Sequence, residues 1–227
     1  MTYSMQTLRD VYWRSCSHEG YLNILIYRPI GLALAVLFAK LRATPNQVSF
    51  LSFVFSVASA VLFLLGEYNY ALLALIPFHL GKILDCADGQ LAKLTNQGSK
   101  LGAFLDPFLD RVVDSLTMGA LAVGYYLHTG SAWAMYLFMA LVSVWFIGAY
   151  LDKHAETGAR NLDNLRQTTG FLPPALRRLT KWDGGFTGLV TTLAVIFWQQ
   201  PALMALSLAV AALPLPMSYI QITRKLR

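Results

Sequence analysis

Between residues 85 and 114 the chain carries Asp85, Asp88, Asp106, Asp110 and Asp114, five of its twelve acidic residues, inside its most apolar part. A carboxylate at membrane depth costs about 2.5–3.5 kcal/mol on insertion scales unless a cation or a partner replaces the lost hydration. Spacing indicates what these acids are suited to hold. At about 100° per residue, Asp85 and Asp88 lie about 60° apart on one helical face, and Ala92 returns to the side of Asp85. Gly102, Asp106, Asp110 and Asp114 recur at every fourth residue and drift by only about 40° per step, forming a slowly winding stripe. Two helices that turn these faces together bring three or four carboxylates to one place, with only Gly and Ala between the backbones. All-oxygen donors without His or Cys suit Mg²⁺ or Mn²⁺, ions that in enzymes bridge to substrate phosphates.

The run Asp85-x2-Asp88-Gly89-x2-Ala92-Lys93-x8-Gly102-x3-Asp106-x3-Asp110 resembles the signature of the CDP-alcohol phosphotransferases, integral membrane enzymes of phospholipid head-group synthesis. It matches at every defined position except one, where the family's usual Arg is Lys93. The stretch Thr44-Pro45-Asn46-Gln47-Val48-Ser49 resembles the family's helix-opening segment. The resemblance implies a transferase that moves a substituted phosphate from a CDP-alcohol to a polar alcohol and releases CMP. It also implies a homodimer and a donor site with Gly89, Ala92, Lys93 and Gly102 close to the nucleotide. Lys93 would bring positive charge near a phosphate without the bidentate fork of an arginine. Asp85, Asp88 and Asp106 are the expected metal ligands, since they join the i, i+3 pair to the facing helix. Asp110, one turn further along the stripe, is placed to take the proton of an acceptor hydroxyl, and the resemblance supports it as general base and as a ligand of a second metal. Arg111 and Asp114 continue the stripe as Asp-Arg-x2-Asp and are either a structural ion pair or acceptor contacts; family members that use inositol phosphate or related polyol phosphates carry a similar continuation. Arg160 and Arg166 are further acceptor-phosphate candidates.

Composition agrees with a membrane protein. Of 227 residues 56% are hydrophobic and 13% charged, against about 25% charged in ordinary soluble domains. The net charge of +6 flanks apolar segments instead of forming a dense patch, which fits anionic lipid and argues against nucleic acid. The expected fold is an all-α integral membrane protein of six transmembrane helices with an N-terminal interfacial amphipathic helix. A polar arm covers residues 1–20, and 21–43 form the interfacial juxtamembrane helix, the place where the family has one. Its apolar core, Ile30 to Ala39, is short of the roughly 20 residues a span needs; a true span over 21–41 is the alternative. Residues 44–227 form the catalytic domain, with a polar cytoplasmic segment at about 153–183.

Thr44 as N-cap and Pro45 at the first helical position open the first span, to about Leu65. Further spans follow at about 71–94, 101–127, up to about 152, 185–198 and 201–222. Turns 66–70, 128–131 and 199–200 lack Lys and Arg, whereas Lys40, Arg42, Lys93, Lys100 and the C-terminal Arg224, Lys225 and Arg227 mark the opposite side. Positive loops stay in the cytoplasm, so both termini and the acid cluster face the cytoplasm at the inner membrane. Cys16 and Cys86 read as free thiols.

Neither donor nor acceptor is named by the sequence. CDP-diacylglycerol is the leading donor, with membrane lipid around it, and a soluble CDP-polyol or CDP-amino alcohol is the alternative. An aspartate-rich prenyltransferase also binds Mg²⁺-diphosphate between helices, but lacks this Gly/Ala interleaving. In a cation transporter the acids would sit near the bilayer midplane on broken helices.

Overall fold

The helix start at Thr44 is present as a reciprocal cap. The Thr44 hydroxyl accepts from the Gln47 N–H at 3.3 Å, and the Gln47 side-chain oxygen accepts from the Thr44 N–H at 2.9 Å. This capping box satisfies two donors that a helix start otherwise leaves open. The structure, a computed structural model, describes residues 3–16, 19–98, 100–144 and 184–198, with 205 and 209 as isolated helical positions. The elements are α1 (Met5–Cys16), α2 (Arg28–Lys40) preceded by a π-helical turn (Asn23–Tyr27), α3 (Pro45–Leu64), α4 (Tyr68–Thr95), α5 (Lys100–Thr129), α6 (Trp133–Val144) and α7 (Gly184–Ile196). Every regular element among the described residues is helical. The expected segment 153–183, with Arg160 and Arg166, and nearly all of the span at 201–222 lie outside the described residues, as do the side chains of Gly102 and Asp106.

Small residues set how closely the helices approach. On α3, Ser52, Ser56 and Ser59 are buried and face α4, where the Ser52 hydroxyl donates to the Gly81 carbonyl at 2.9 Å. A Cβ on Gly81 would lie 2.7 Å from the Ser56 hydroxyl, so the two backbones pack across a seam that admits little beyond glycine. Gly124 of α5 is pressed against Phe63 and Gly66 in the same way, and Gly66 takes the left-handed turn (φ +78°) that sends the chain from α3 into α4. Consequently α3 is the central partner, packed along both α4 and α5, while α2 covers another side of α4. Pro77 lies inside α4, so the Leu73 carbonyl lacks its usual helical donor there. The outward residues Phe50, Val54, Val61 and Ile76 are exposed, as a lipid-facing surface requires.

Among the described residues three helical segments are long and apolar enough to cross a membrane: Asn23–Lys40, Pro45–Leu64 and Tyr68–Thr95. The first is the segment expected at the interface. Its π-turn continues directly into α2, so Ile24 to Tyr27 extend the apolar stretch to 18 residues, with a mean hydropathy of 1.4. Arg28, the charge that argued against a span, is ion-paired with Glu19. By length and composition this segment meets the alternative that the sequence left open. The N-terminal arm is itself a helix, and Val11 and Cys16 of α1 are buried, Val11 in one apolar cluster with Leu91 and Leu94 of α4. At the place of the fifth expected span lies α7, a helix of 13 residues.

Candidate active site

Asp85 to Lys93 occupy the last third of α4, which ends where Asn96 adopts a left-handed conformation (φ 53°) and the Gln97 N–H reaches back to the Ala92 carbonyl at 3.0 Å. Counted along the helices, Asp85 is ten residues before the end of α4 at Thr95, and Asp110 ten residues after the start of α5 at Lys100. At 1.5 Å per residue each lies about 15 Å from the intervening turn. The two acidic faces therefore sit at the same depth, and one contact verifies this register. Lys82, one turn before Asp85, donates to Asp114, one turn after Asp110, at 2.8 Å between Nζ and Oδ1.

Asp88 is buried, 5% exposed, and its Oδ2 accepts from the Ser49 hydroxyl of α3 at 2.5 Å. Ser49 also lies 3.1 Å from the Pro45 carbonyl, one turn back on its own helix. The helix-opening segment thus delivers a hydroxyl to the acid pair on the neighbouring helix. Asp85 is half-buried, and Asp110 and Arg111 are exposed. Gly89 is half-buried, and among the described residues nothing comes within 4 Å of where its Cβ would be. Among the described residues, packing does not demand glycine here as it does at Gly81 and Gly124, and the flank of the acid pair is open. Ala92 beside it is also half-buried. The exposed Lys93 reaches away to α1, donating to the Ser15 hydroxyl at 2.8 Å.

Behind the acid-bearing turn a polar clamp holds α4. Arg28 donates to Glu19 through Nε at 2.8 Å and through Nη2, and its Nη1 lies 3.4 Å from the Cys86 carbonyl. Glu19 also accepts from the Asn23 amide at 2.9 Å, and the Gln90 amide donates to the Arg28 carbonyl at 3.2 Å. Gly31 lets α2 approach this stretch: its Cβ would meet Cys86 Cβ at 2.9 Å and the Ala87 nitrogen at 3.3 Å. On the same side of the molecule, His79 bridges Tyr27 and Thr192, at 2.7 and 2.8 Å, and ties α7 to α4. Cys16 and Cys86 are free and buried. Burial pushes the Cys16 thiol above its ordinary range.

Among the described residues no three metal-ligating side chains converge, and the side chain of Asp106, the expected third ligand, lies outside them. Asp85 and Asp88 nevertheless fit a hard divalent ion in donor type: two carboxylates one turn apart, one of them held by a hydroxyl, beside an open flank. Asp114 is committed to Lys82. Sequence reasoning passed over Lys82, although a lysine three residues before Asp85 within an apolar run requires an anionic partner. It also missed the pairing of Ser49 with Asp88 and the Glu19–Arg28 clamp, whose members are far apart in sequence and carry no shared spacing.

A profile of CDP-alcohol phosphatidyltransferase matches residues 42–213. The chain is 36% identical over 86 residues to an archaetidylinositol phosphate synthase of Pyrococcus horikoshii, covering 38% of this chain and 44% of that protein. It is 33% identical over 88 residues to a phosphatidylinositol phosphate synthase of Corynebacterium glutamicum, covering 39% of each. To a bifunctional IPC transferase and DIPP synthase of Thermococcus kodakarensis it is 34% identical over 104 residues, covering 46% of this chain and 23% of that protein. The chain thus spans less than half the length of these relatives. The family match covers most of the chain and takes in both acid-bearing helices together with the serine that holds Asp88: the chain belongs to the CDP-alcohol phosphatidyltransferase family.

Proposed function

We propose that the chain is a divalent-metal-dependent transferase that moves the phosphatidyl group of CDP-diacylglycerol to a hydroxyl of inositol phosphate or a related polyol phosphate, releasing CMP. The observation that carries this reading is the buried Asp88, held by Ser49 and flanked by the open side of Gly89, one turn from Asp85, which lies at the same depth as Asp110 on α5. The similarity to an archaetidylinositol phosphate synthase and a phosphatidylinositol phosphate synthase favours an inositol phosphate acceptor. Asp85, Asp88 and Asp106 are the residues that would hold Mg²⁺ or Mn²⁺, which when bound neutralises charge on the transferred and departing phosphates. Gly89, Ala92 and Gly102 are the small residues beside which cytidine and diphosphate would lie. Asp110 accepts the proton of the acceptor hydroxyl while that oxygen bonds to the phosphatidyl phosphorus and the bond to CMP breaks. Asp110 is exposed among the described residues. Arg111, Arg160 and Arg166 offer cationic contacts for the acceptor's phosphate. Six spans over residues 44–222 put this site and the C-terminus on the cytoplasmic face of the inner membrane, and the enzyme works as a homodimer.

The test is CMP release from CDP-diacylglycerol by purified protein, with inositol phosphate, inositol or glycerol phosphate as acceptor. The expected result is turnover with inositol phosphate that stops on chelation and in Asp88→Asn. CMP release unaffected by EDTA, or turnover only with a soluble CDP-alcohol, would refute the reading.

A further inference from the structure

We propose that the Lys82–Asp114 ion pair is a positioning strap that sets the width of the cleft between the two acid-bearing helices, and thereby how tightly that cleft holds a divalent cation; this rests on the function proposed above. Although α4 and α5 are consecutive, each packs along α3, and among the described residues they share no extended close packing of their own. The apolar cluster they share, Ala71, Ala74 and Phe78 with Leu121, lies seven or more residues from Asp85 and Asp110, on the far side of Lys82 and Asp114 from the acids. Nearer the acids the two helices are joined by the 2.8 Å contact from Lys82 Nζ to Asp114 Oδ1. It lies three residues from Asp85 and four from Asp110, so within about 6 Å of each along its helix axis. Both side chains are largely buried, 13% and 12% exposed, where the local dielectric strengthens their attraction. Lys82 is also steadied over the Phe78 ring, with Nζ 5.1 Å from the centroid.

A pair in this place acts on both rows of carboxylates. Its length sets how far Asp85 and Asp88 stand from the Asp110 stripe, and its ammonium offsets part of the repulsion among acids at the empty cleft. Asp114, bound to Lys82, belongs to the strap and not to the set that would coordinate metal.

The experiment measures Mn²⁺ binding by electron paramagnetic resonance on the full chain in detergent, with thermal unfolding recorded in parallel. Lys82→Met/Asp114→Leu replaces the pair by apolar side chains, an exchange that buried ion pairs often tolerate without loss of stability. The expected result is near-wild-type unfolding with Mn²⁺ affinity reduced about tenfold or more, the scale of effect of residues that orient metal ligands. Lys82→Asp/Asp114→Lys restores a pair with reversed polarity and is expected to recover affinity to within about threefold of wild type. A folded apolar variant that binds Mn²⁺ as wild type does would overturn the proposal, as would a folded swap variant no better than the apolar one. If neither variant folds, the pair is an element of stability and the positioning role is likewise overturned. Wild-type protein that binds no Mn²⁺ would sink the functional reading itself, before any variant is compared.

Discussion

Gly89 of α4 and Gly31 of α2, which packs against the Cys86–Gln90 turn of α4, separate space reserved for a ligand from space required by packing. At Gly89 nothing among the described residues lies within 4 Å of an added Cβ. Gly89→Ala should therefore leave the fold intact, and in a helix interior it gains about 0.8–1.0 kcal/mol of propensity. If the donor's diphosphate lies against this flank, the same methyl meets the ligand, and overpacking of about 1–3 kcal/mol corresponds to roughly 5- to 150-fold weaker donor binding. At Gly31 the geometry is the reverse. A Cβ there would stand 2.9 Å from Cys86 Cβ, 3.0 Å from Gln90 Oε1 and 3.3 Å from the Ala87 nitrogen. Carbon atoms settle at about 3.5–4.0 Å, so α2 must retreat by roughly 1 Å from the back of the aspartate turn. Gly31→Ala should then cost about 1–3 kcal/mol of stability. The assay pairs thermal unfolding in detergent with CMP release at varied donor concentration. The expected pattern is a stable Gly89→Ala with raised KM, and a Gly31→Ala whose first defect is a lowered Tm. A stable Gly89→Ala with an unchanged KM would refute the assignment of this flank to the donor.

Ser49→Ala removes the hydroxyl that holds Asp88 and should weaken Mn²⁺ binding by about 10- to 100-fold, read by the same resonance measurement; affinity within twofold of wild type, roughly the scatter of such titrations, would remove Ser49 from the site. Asp110→Asn should abolish transfer while CDP-diacylglycerol still binds, as measured by equilibrium binding; equal loss of both would make Asp110 purely a ligand. Cys16 is buried, and its thiol titrates above the ordinary range, so little thiolate is present at neutral pH. With Cys86 also buried, maleimide should label neither cysteine until the protein is denatured, which mass spectrometry checks.

Much of the fold was legible because local rules sufficed. The Thr44 start, the boundaries of α3 and α4 and the long α5 follow from caps, glycine turns and apolar run lengths, all of which act within a few residues. The segment before residue 44 was harder to read. Arg28 in an apolar run signals an interface, but its charge is matched by Glu19, nine residues earlier across a turn that spacing does not disclose. The polar arm is likewise a docked helix because Val11 and Cys16 find a surface formed by α2 and α4.

By itself the sequence determined the chemistry on offer: which helices carry carboxylates, at what spacing, and that hard oxygen donors lie at membrane depth beside small residues. Only the tertiary structure decided how those acids are divided. Asp88 turns to Ser49 of α3, whereas Asp114, in step with Asp106 and Asp110 along the sequence, is taken by Lys82 of α4. Helical periodicity fixes the direction of a side chain about its own axis and nothing about its neighbour. Which acid meets a hydroxyl, an ammonium or open space depends on how helices distant in sequence cross, and that crossing is set by the serine and glycine seams along α3.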